Sequence, residues 1–173
     1  MSDAGELADL AVRAAAAAGE LLFERFQGPV RGVSSKTSPT DLVSDADRDS
    51  EKLLLGVLLE ERPDDGILAE EGESSESRSG FTWIVDPLDG TINFLFGIPQ
   101  WSVSVAVRDK EGLAAGVVHD ACREETFVAT RDGGATLNGD PIHLTDRTEL
   151  ASALIGTGFA YDSRARAEQA ERL

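Results

Sequence analysis

The sequence predicts a layered α/β fold in which two long N-terminal helices pack on a mostly antiparallel sheet. Three observations predict it. Apolar residues recur at helical spacing over 3–26 and again from Ser44 to just before Pro63. Short apolar runs separated by turn residues then follow from Ile67 to Leu144. The pattern changes once more after Ala151, where a new layer is expected. A chain of 173 residues and 18.4 kDa fits one domain of ordinary size, or one and part of another, and can bury a real core.

Residues 3–26 read as an amphipathic helix, with Leu7, Leu10, Ala14, Leu21, Leu22 and Phe26 near one face and Asp9, Arg13, Glu20 and Glu24 mostly on the other. Gly28-Pro29 ends it. Residues 30–43 carry turn formers and Lys36, which predicts a loop with a short ribbon able to reach over a site. The second helix starts at Ser44 as N-cap, with Asp47 at its third position and Leu53, Leu54, Val57 and Leu58 as its buried stripe. Asp45, Asp47 and Asp49 in its first turn suit the positive end of the helix dipole, a reading that needs no catalysis.

Ile67-Leu68-Ala69 is a short strand running into Glu70-Glu71-Gly72. After the polar loop 74–80, the apolar run from Trp83 is expected to stop at Asp86, because Pro87 forbids ordinary continuation of a ladder, and Asp89-Gly90 to make a turn. Val103, Val105 and Val107 alternate as a strand. Leu113 to Val118 and Glu125 to Thr130 are two more, joined through Asp120 to Arg123. Ala135-Thr136-Leu137 and Pro141 to Leu144 form a hairpin around Asn138-Gly139, a type I′ signal. Ala153 to Gly158 reads as a buried strand ending in glycine, and Ser163 to Leu173 as a helix. The expected division is a helix-plus-sheet domain over 1–148 that carries the site, and the beginning of an α/β domain over 149–173, cut within it.

The formal net charge is −16, from 32 acidic against 16 basic residues, with a pI near 4.4. That charge makes a nucleic-acid backbone a poor partner. The longest early apolar stretch, Ala14 to Ala18, is short and flanked by Asp3, Glu6, Asp9 and Glu20, so neither a signal peptide nor a membrane span is predicted. Cys122 is the single cysteine, which rules out an intrachain disulfide and a thiolate zinc cluster. A cytoplasmic location follows as the expectation.

Two acid-bearing strand ends, Ala69-Glu70-Glu71 and Val85-Asp86-Pro87-Leu88-Asp89, would converge if their strands lie side by side. Carboxylates crowded on one spot repel unless protons or cations intervene, and a hard divalent ion resolves the conflict. Magnesium suits oxygen ligands; calcium is compatible too, although no EF-hand loop is present. Gly90 lets backbone approach an anion, and free N–H groups beyond it can face phosphate oxygens. Thr91 can orient a water, and Glu70 can both hold a metal and accept a proton. His119 and His143 lie in predicted hairpins and read as structural.

These residues resemble the magnesium-dependent, lithium-sensitive phosphomonoesterases that include inositol monophosphatase. The pattern of that family is an acid in an N-terminal helix, then Glu-Glu, then Asp-Pro-Ile/Leu-Asp-Gly-Thr/Ser, then a distant Trp-Asp. Asp47, Glu70-Glu71 and Asp86-Pro87-Leu88-Asp89-Gly90-Thr91 match the first three in order, and the likeness extends to Lys36 with 40–43, Gly97-Ile98-Pro99 and Asn138-Gly139. The resemblance implies the α-β-α-β-α sugar-phosphatase layering and a centre of two or three magnesium ions. Glu70, Asp86 and the carbonyl of Leu88 would hold one ion, and Asp86 with Asp89 a second. Asp89, Gly90 and Thr91 would cradle the phosphate, Asp47 would accept a hydrogen bond from Thr91, and Lys36 would sit over the site. Two departures stand out. Phe96 occupies a place where the family usually has a polar or basic residue, and the Trp-Asp segment is absent.

The expected reaction is hydrolysis of a small phosphate monoester, foremost inositol 1-phosphate, by a metal-activated water without a phosphoenzyme. Histidinol-phosphate, fructose-bisphosphate and nucleotide 3′-phosphates are rival substrates. A different class of reading is an inactive metal-binding or partner-dependent module. A homodimer, formed through exposed sheet or helix faces, is the expected assembly.

Overall fold

The computed structural model describes residues 3–29, 31–35, 42–69, 74–156, 158–160 and 162–172. Helix α1 spans Asp3–Phe26, and the strands β1 (Ser34–Ser35) and β2 (Leu42–Val43) pair as an antiparallel ribbon. Helix α2 is Asp45–Glu61. There follow β3 (Gly66–Ala69), β4 (Thr82–Asp89), the short α3 (Thr91–Leu95), β5 (Ser102–Asp109), β6 (Gly112–Asp120), β7 (Glu125–Thr130), β8 (Gly134–Leu137) and β9 (Asp140–Ile142). Helix α4 is Ser163–Ala170.

Strands β3 to β9 form one seven-stranded sheet in chain order. Every neighbouring pair is antiparallel except β3 with β4, which run parallel, so the prediction of a mostly antiparallel sheet holds. Asn138 and Gly139 both have positive φ, as a type I′ hairpin turn demands.

Alternation decides which face is covered. Trp83, Val85, Val103, Val105, Val107 and Val117 point to one side and are buried there. Helix α1 lies over β5, β6 and β7, and α2 over β4. The alanines of α1 make this close approach possible: Ala11, Ala14, Ala15 and Ala18 are fully buried beside Leu10 and Leu22. The opposite face is open, with Val118 and Phe127 among the exposed large apolar residues.

Three expectations are corrected. Strand β4 does not stop at Asp86 but continues through Pro87 to Asp89, because its ladder with β5 passes from Asp86–Ser104 to Asp89–Ser102 and skips the residues between. Its ladder with β3 has already ended at Ala69–Val85, so a bulge accommodates the proline without a broken bond. The stripe of α2 buries Leu54 and Leu58 but leaves Leu53 and Val57 half-buried, and Ala46, Asp47, Ser50 and Glu51 take its N-terminal half. Residues 153–156 form no strand; Leu154 is fully exposed, and an apolar run without a neighbour to pair with has no ladder to join.

An aromatic trio backs the turn after β4. Phe26, Phe94 and Trp101 lie 5.4–5.6 Å apart between centroids, joining the end of α1 to α3 and the start of β5. The indole nitrogen of Trp101 is buried with no acceptor among the described residues, whereas that of Trp83 donates to Asp65 Oδ2 at 2.9 Å.

Candidate active site

The site grows from three local structures that meet at the end of β4. The first is the start of α2. Ser44, in extended conformation (φ −125°), caps the helix, and Asp47 at the third helical position reaches back to it. Asp47 Oδ2 accepts from the Ser44 backbone N–H at 2.9 Å and from the Ser44 hydroxyl at 2.6 Å. Both residues are 1% exposed.

The second is the bulge of β4. Asp86 Oδ1 accepts from the Leu88 N–H at 3.2 Å, which curls the chain so that the carbonyls of Pro87 and Leu88 face α2 and α3. Ser50 donates to the Pro87 carbonyl at 2.8 Å, tying α2 to the bulge.

The third is the turn itself. Gly90 has φ +93°, a conformation that L side chains avoid, and a Cβ there would stand 2.9 Å from the carbonyl oxygen of Gln100. The glycine therefore both permits the turn and admits the β5 approach against it. Helix α3 starts immediately after, and Asn93 Nδ2 closes the loop by donating to Gln100 O at 2.8 Å.

Thr91 joins the three. Its hydroxyl oxygen lies 2.9 Å from Asp47 Oδ1 and 3.0 Å from the Leu88 carbonyl. A hydroxyl has one hydrogen, and the carboxylate is the stronger acceptor, so the hydrogen goes chiefly to Asp47. An oxygen lone pair of Thr91 is then available to accept a hydrogen from another molecule.

Of the residues singled out from sequence, Asp47, Leu88 and Thr91 are in direct contact, and Asp86, Asp89 and Gly90 lie on the same turn. Glu70 and its neighbour Glu71 lie outside the described residues, as does Lys36. The parallel pairing places Ala69 beside Val85, so strands β3 and β4 run side by side in one direction, as convergence of the two acid-bearing ends requires. Among the described residues, no three acids, histidines or cysteines meet to enclose an ion. The described donors nonetheless suit magnesium in kind: the carboxylates of Asp86 and Asp89 and the Leu88 carbonyl are all oxygen ligands.

A cleft of about 470 Å³ opens beside Asp89 and Gly90. Across it the sequence reading missed a polar group: Asp120 is paired with Arg123, whose guanidinium also donates to Gln100 Oε1 at 2.6 Å. The signal was the acid and base three residues apart in a turn. His119 points elsewhere. Its Nδ1 is 2.9 Å from Thr126 Oγ1, and its ring lies against Gly19 of α1, so its role is structural. Burial pushes the Cys122 thiol up, with Asp120 adding to the effect, which disfavours a thiolate nucleophile.

With this geometry in place, comparison with known proteins is decisive. The pattern of the Inositol monophosphatase family matches residues 3–173. The chain belongs to the inositol monophosphatase family. It is 41% identical over 160 residues to the inositol-1-monophosphatase of Rhizobium meliloti, covering 91% of this chain and 60% of that one. It is 40% identical over 157 residues to the Nus factor SuhB of Pseudomonas aeruginosa, covering 88% and 58%. Among solved structures, SuhB of Mycobacterium tuberculosis superposes with a TM-score of 0.81 at 33% identity, covering 99% of this chain and 64% of that one. The inositol monophosphatase of Anabaena does so at 0.79 and 33%, covering 92% and 57%. The chain thus spans less than two thirds of the length of these relatives. Inositol monophosphatase family members bear both kinds of name, and the mixed α/β architecture is shared by all of these structures.

Proposed function

We propose that this chain carries the phosphatase half-site of a magnesium-dependent phosphomonoesterase that hydrolyses inositol 1-phosphate to inositol and phosphate. The observation that carries the reading is the Thr91–Asp47 hydrogen bond, 2.9 Å long, at the end of the strand that bears Asp86 and Asp89. Asp86, Asp89 and the Leu88 carbonyl would hold magnesium together with Glu70. Bound there, magnesium supplies positive charge that acidifies water and offsets the charge of the phosphate. Thr91, its hydrogen given to Asp47, accepts a hydrogen from the attacking water, and Glu70 takes the proton that water loses. The water oxygen bonds to phosphorus as the bond to the inositol oxygen breaks in line, and that oxygen takes a proton from solvent water as it leaves. Gly90 and Thr91 donate backbone N–H groups to the phosphate, and the positive charge of Lys36 would favour its binding.

Phosphate release from inositol 1-phosphate, with and without magnesium, tests the reading. Asp86→Asn is expected to abolish the magnesium-dependent release; release that survives it unchanged would sink the proposal. Histidinol-phosphate, fructose-bisphosphate and nucleotide 3′-phosphates serve as the competing substrates in the same assay.

A second reading, a metal-binding module that acts through a partner and does not turn over substrate, draws on the open sheet face. Val118 is 40% exposed there and Phe127 37%. Robust turnover by the isolated 173-residue chain would exclude it.

A further inference from the structure

Helix α2 buries a stripe of unusual chemistry. Its C-terminal half is Leu54 and Leu58, but its N-terminal half presents Asp47 and Ser50, with Ser44 just before it, and all three are 1% exposed or less. Buried hydroxyls and carboxylates are costly unless bonded, and here they are bonded to the turn that holds Thr91 and to one another.

We infer that Ser44 is a positioning residue for the reaction: by giving both of its donors to Asp47 Oδ2, it aims Asp47 Oδ1 at the hydroxyl of Thr91. Ser44 and Asp47 form a capping box, in which the side chain at the third helical position accepts from the cap's backbone N–H, and that bond belongs to the helix start whatever the reaction. What the box does not require is a second donor, the Ser44 hydroxyl, on the same oxygen. In this chain its backbone N–H at 2.9 Å and its hydroxyl at 2.6 Å converge on one carboxylate oxygen. One donor alone would let the carboxylate swing about that contact. Two donors from the same residue restrain its plane, and the other oxygen accepts from Thr91 at 2.9 Å. With its hydrogen held by Asp47, the stronger of its two acceptors, Thr91 presents a lone pair to water in one fixed direction. Ser44 therefore acts on the water through two side chains without touching it. The inference rests on the phosphatase reading for its chemical meaning, but the positioning itself is open to separate measurement.

The experiment uses the whole chain with Ser44→Ala, Ser44→Gly and Ser44→Thr. Glycine is a good N-cap that lacks the hydroxyl, so it keeps the helix start if alanine does not. Three-bond couplings at the Asp47 Cβ protons are expected to show one side-chain rotamer in the wild-type chain and in Ser44→Thr, and averaging in Ser44→Gly and in folded Ser44→Ala. Turnover of inositol 1-phosphate with magnesium is expected to fall in kcat by roughly tenfold to a hundredfold at unchanged KM, the scale of a small misplacement of a reacting group, and to be restored by threonine. A single Asp47 rotamer retained in both hydroxyl-free variants overturns the inference, whatever the turnover. Averaging of Asp47 in a chain that releases no phosphate upholds the positioning and counts against the phosphatase reading instead.

Discussion

Ser50 donates its hydroxyl to the carbonyl oxygen of Pro87 across 2.8 Å, and both residues are fully buried. This one bond fastens the helix that carries Asp47 to the bulge that carries Asp86, so the two elements of the site cannot slide past each other. Ser50→Ala takes this donor from the buried Pro87 carbonyl, which is expected to cost about 1–3 kcal/mol of stability. Urea denaturation of the two proteins measures it.

Reversing the polarity of the Thr91–Asp47 bond should disable the site without unfolding it. In Asp47→Asn the oxygen stays with the donors of Ser44, and the amide turns an N–H toward Thr91, whose hydrogen must then point away. Phosphate release is expected to drop by roughly 10²–10⁴-fold, the range of acid–base effects. Thr91→Ser keeps the hydroxyl and is expected to retain most activity, and steady-state kinetics separates the two variants.

Gly90 leaves no room for a side chain. Alanine there must adopt φ near +93°, a left-handed conformation that costs roughly 1–2 kcal/mol. Its Cβ would also press on the Gln100 carbonyl, which already accepts from Asn93. A loss of stability beyond the conformational penalty is expected by thermal melting, with loss of the turn geometry at Thr91.

Gly19 offers the same logic at a helix. Alanine ordinarily stabilises a helix over glycine by about 1 kcal/mol. At this position its Cβ would come 2.4 Å from the His119 ring, which Thr126 holds in place. Gly19→Ala is therefore expected to destabilise the wild-type chain and to stabilise a His119→Ala background, a reversal of sign that a double-mutant cycle detects.

His119 also predicts a pH response. Burial holds its pKa below the ordinary histidine value of 6.5, with Asp120 opposing the shift. The unfolded chain then binds a proton more readily than the folded one. Its contribution to stability is complete above that value and is lost as pH falls below it through the folded-state pKa. Denaturation midpoints taken between about pH 7 and pH 5 are expected to fall less steeply in His119→Gln than in the wild-type chain.

Much of this was legible because it is local. Ser44 as N-cap, the extents of α1 and β7, and the Asn138-Gly139 hairpin follow from spacing and turn chemistry that neighbouring residues alone determine. The Asp86 to Thr91 motif carried the family, and the Thr91–Asp47 contact came with the resemblance. What escaped was tertiary. Nothing local says that β3 ends beside Val85, which is what lets β4 run on through Pro87 as a bulge. Ser50 read as an unremarkable polar position because its partner is a backbone carbonyl 37 residues away. The apolar run at 153–156 matched a strand in composition, and composition cannot supply a neighbouring strand to pair with.

The two tryptophans give the molecule a built-in pair of optical reporters. Trp83 is tied by its indole nitrogen to Asp65 in the loop between α2 and β3, whereas Trp101 sits in the aromatic cluster behind Gly90 and Thr91. Light absorbed by Trp83→Phe would be re-emitted from the site end alone, and by Trp101→Phe from the far end of β4. Loosening of the phosphate turn would then be visible as a colour change at one end of the strand while the other stayed constant.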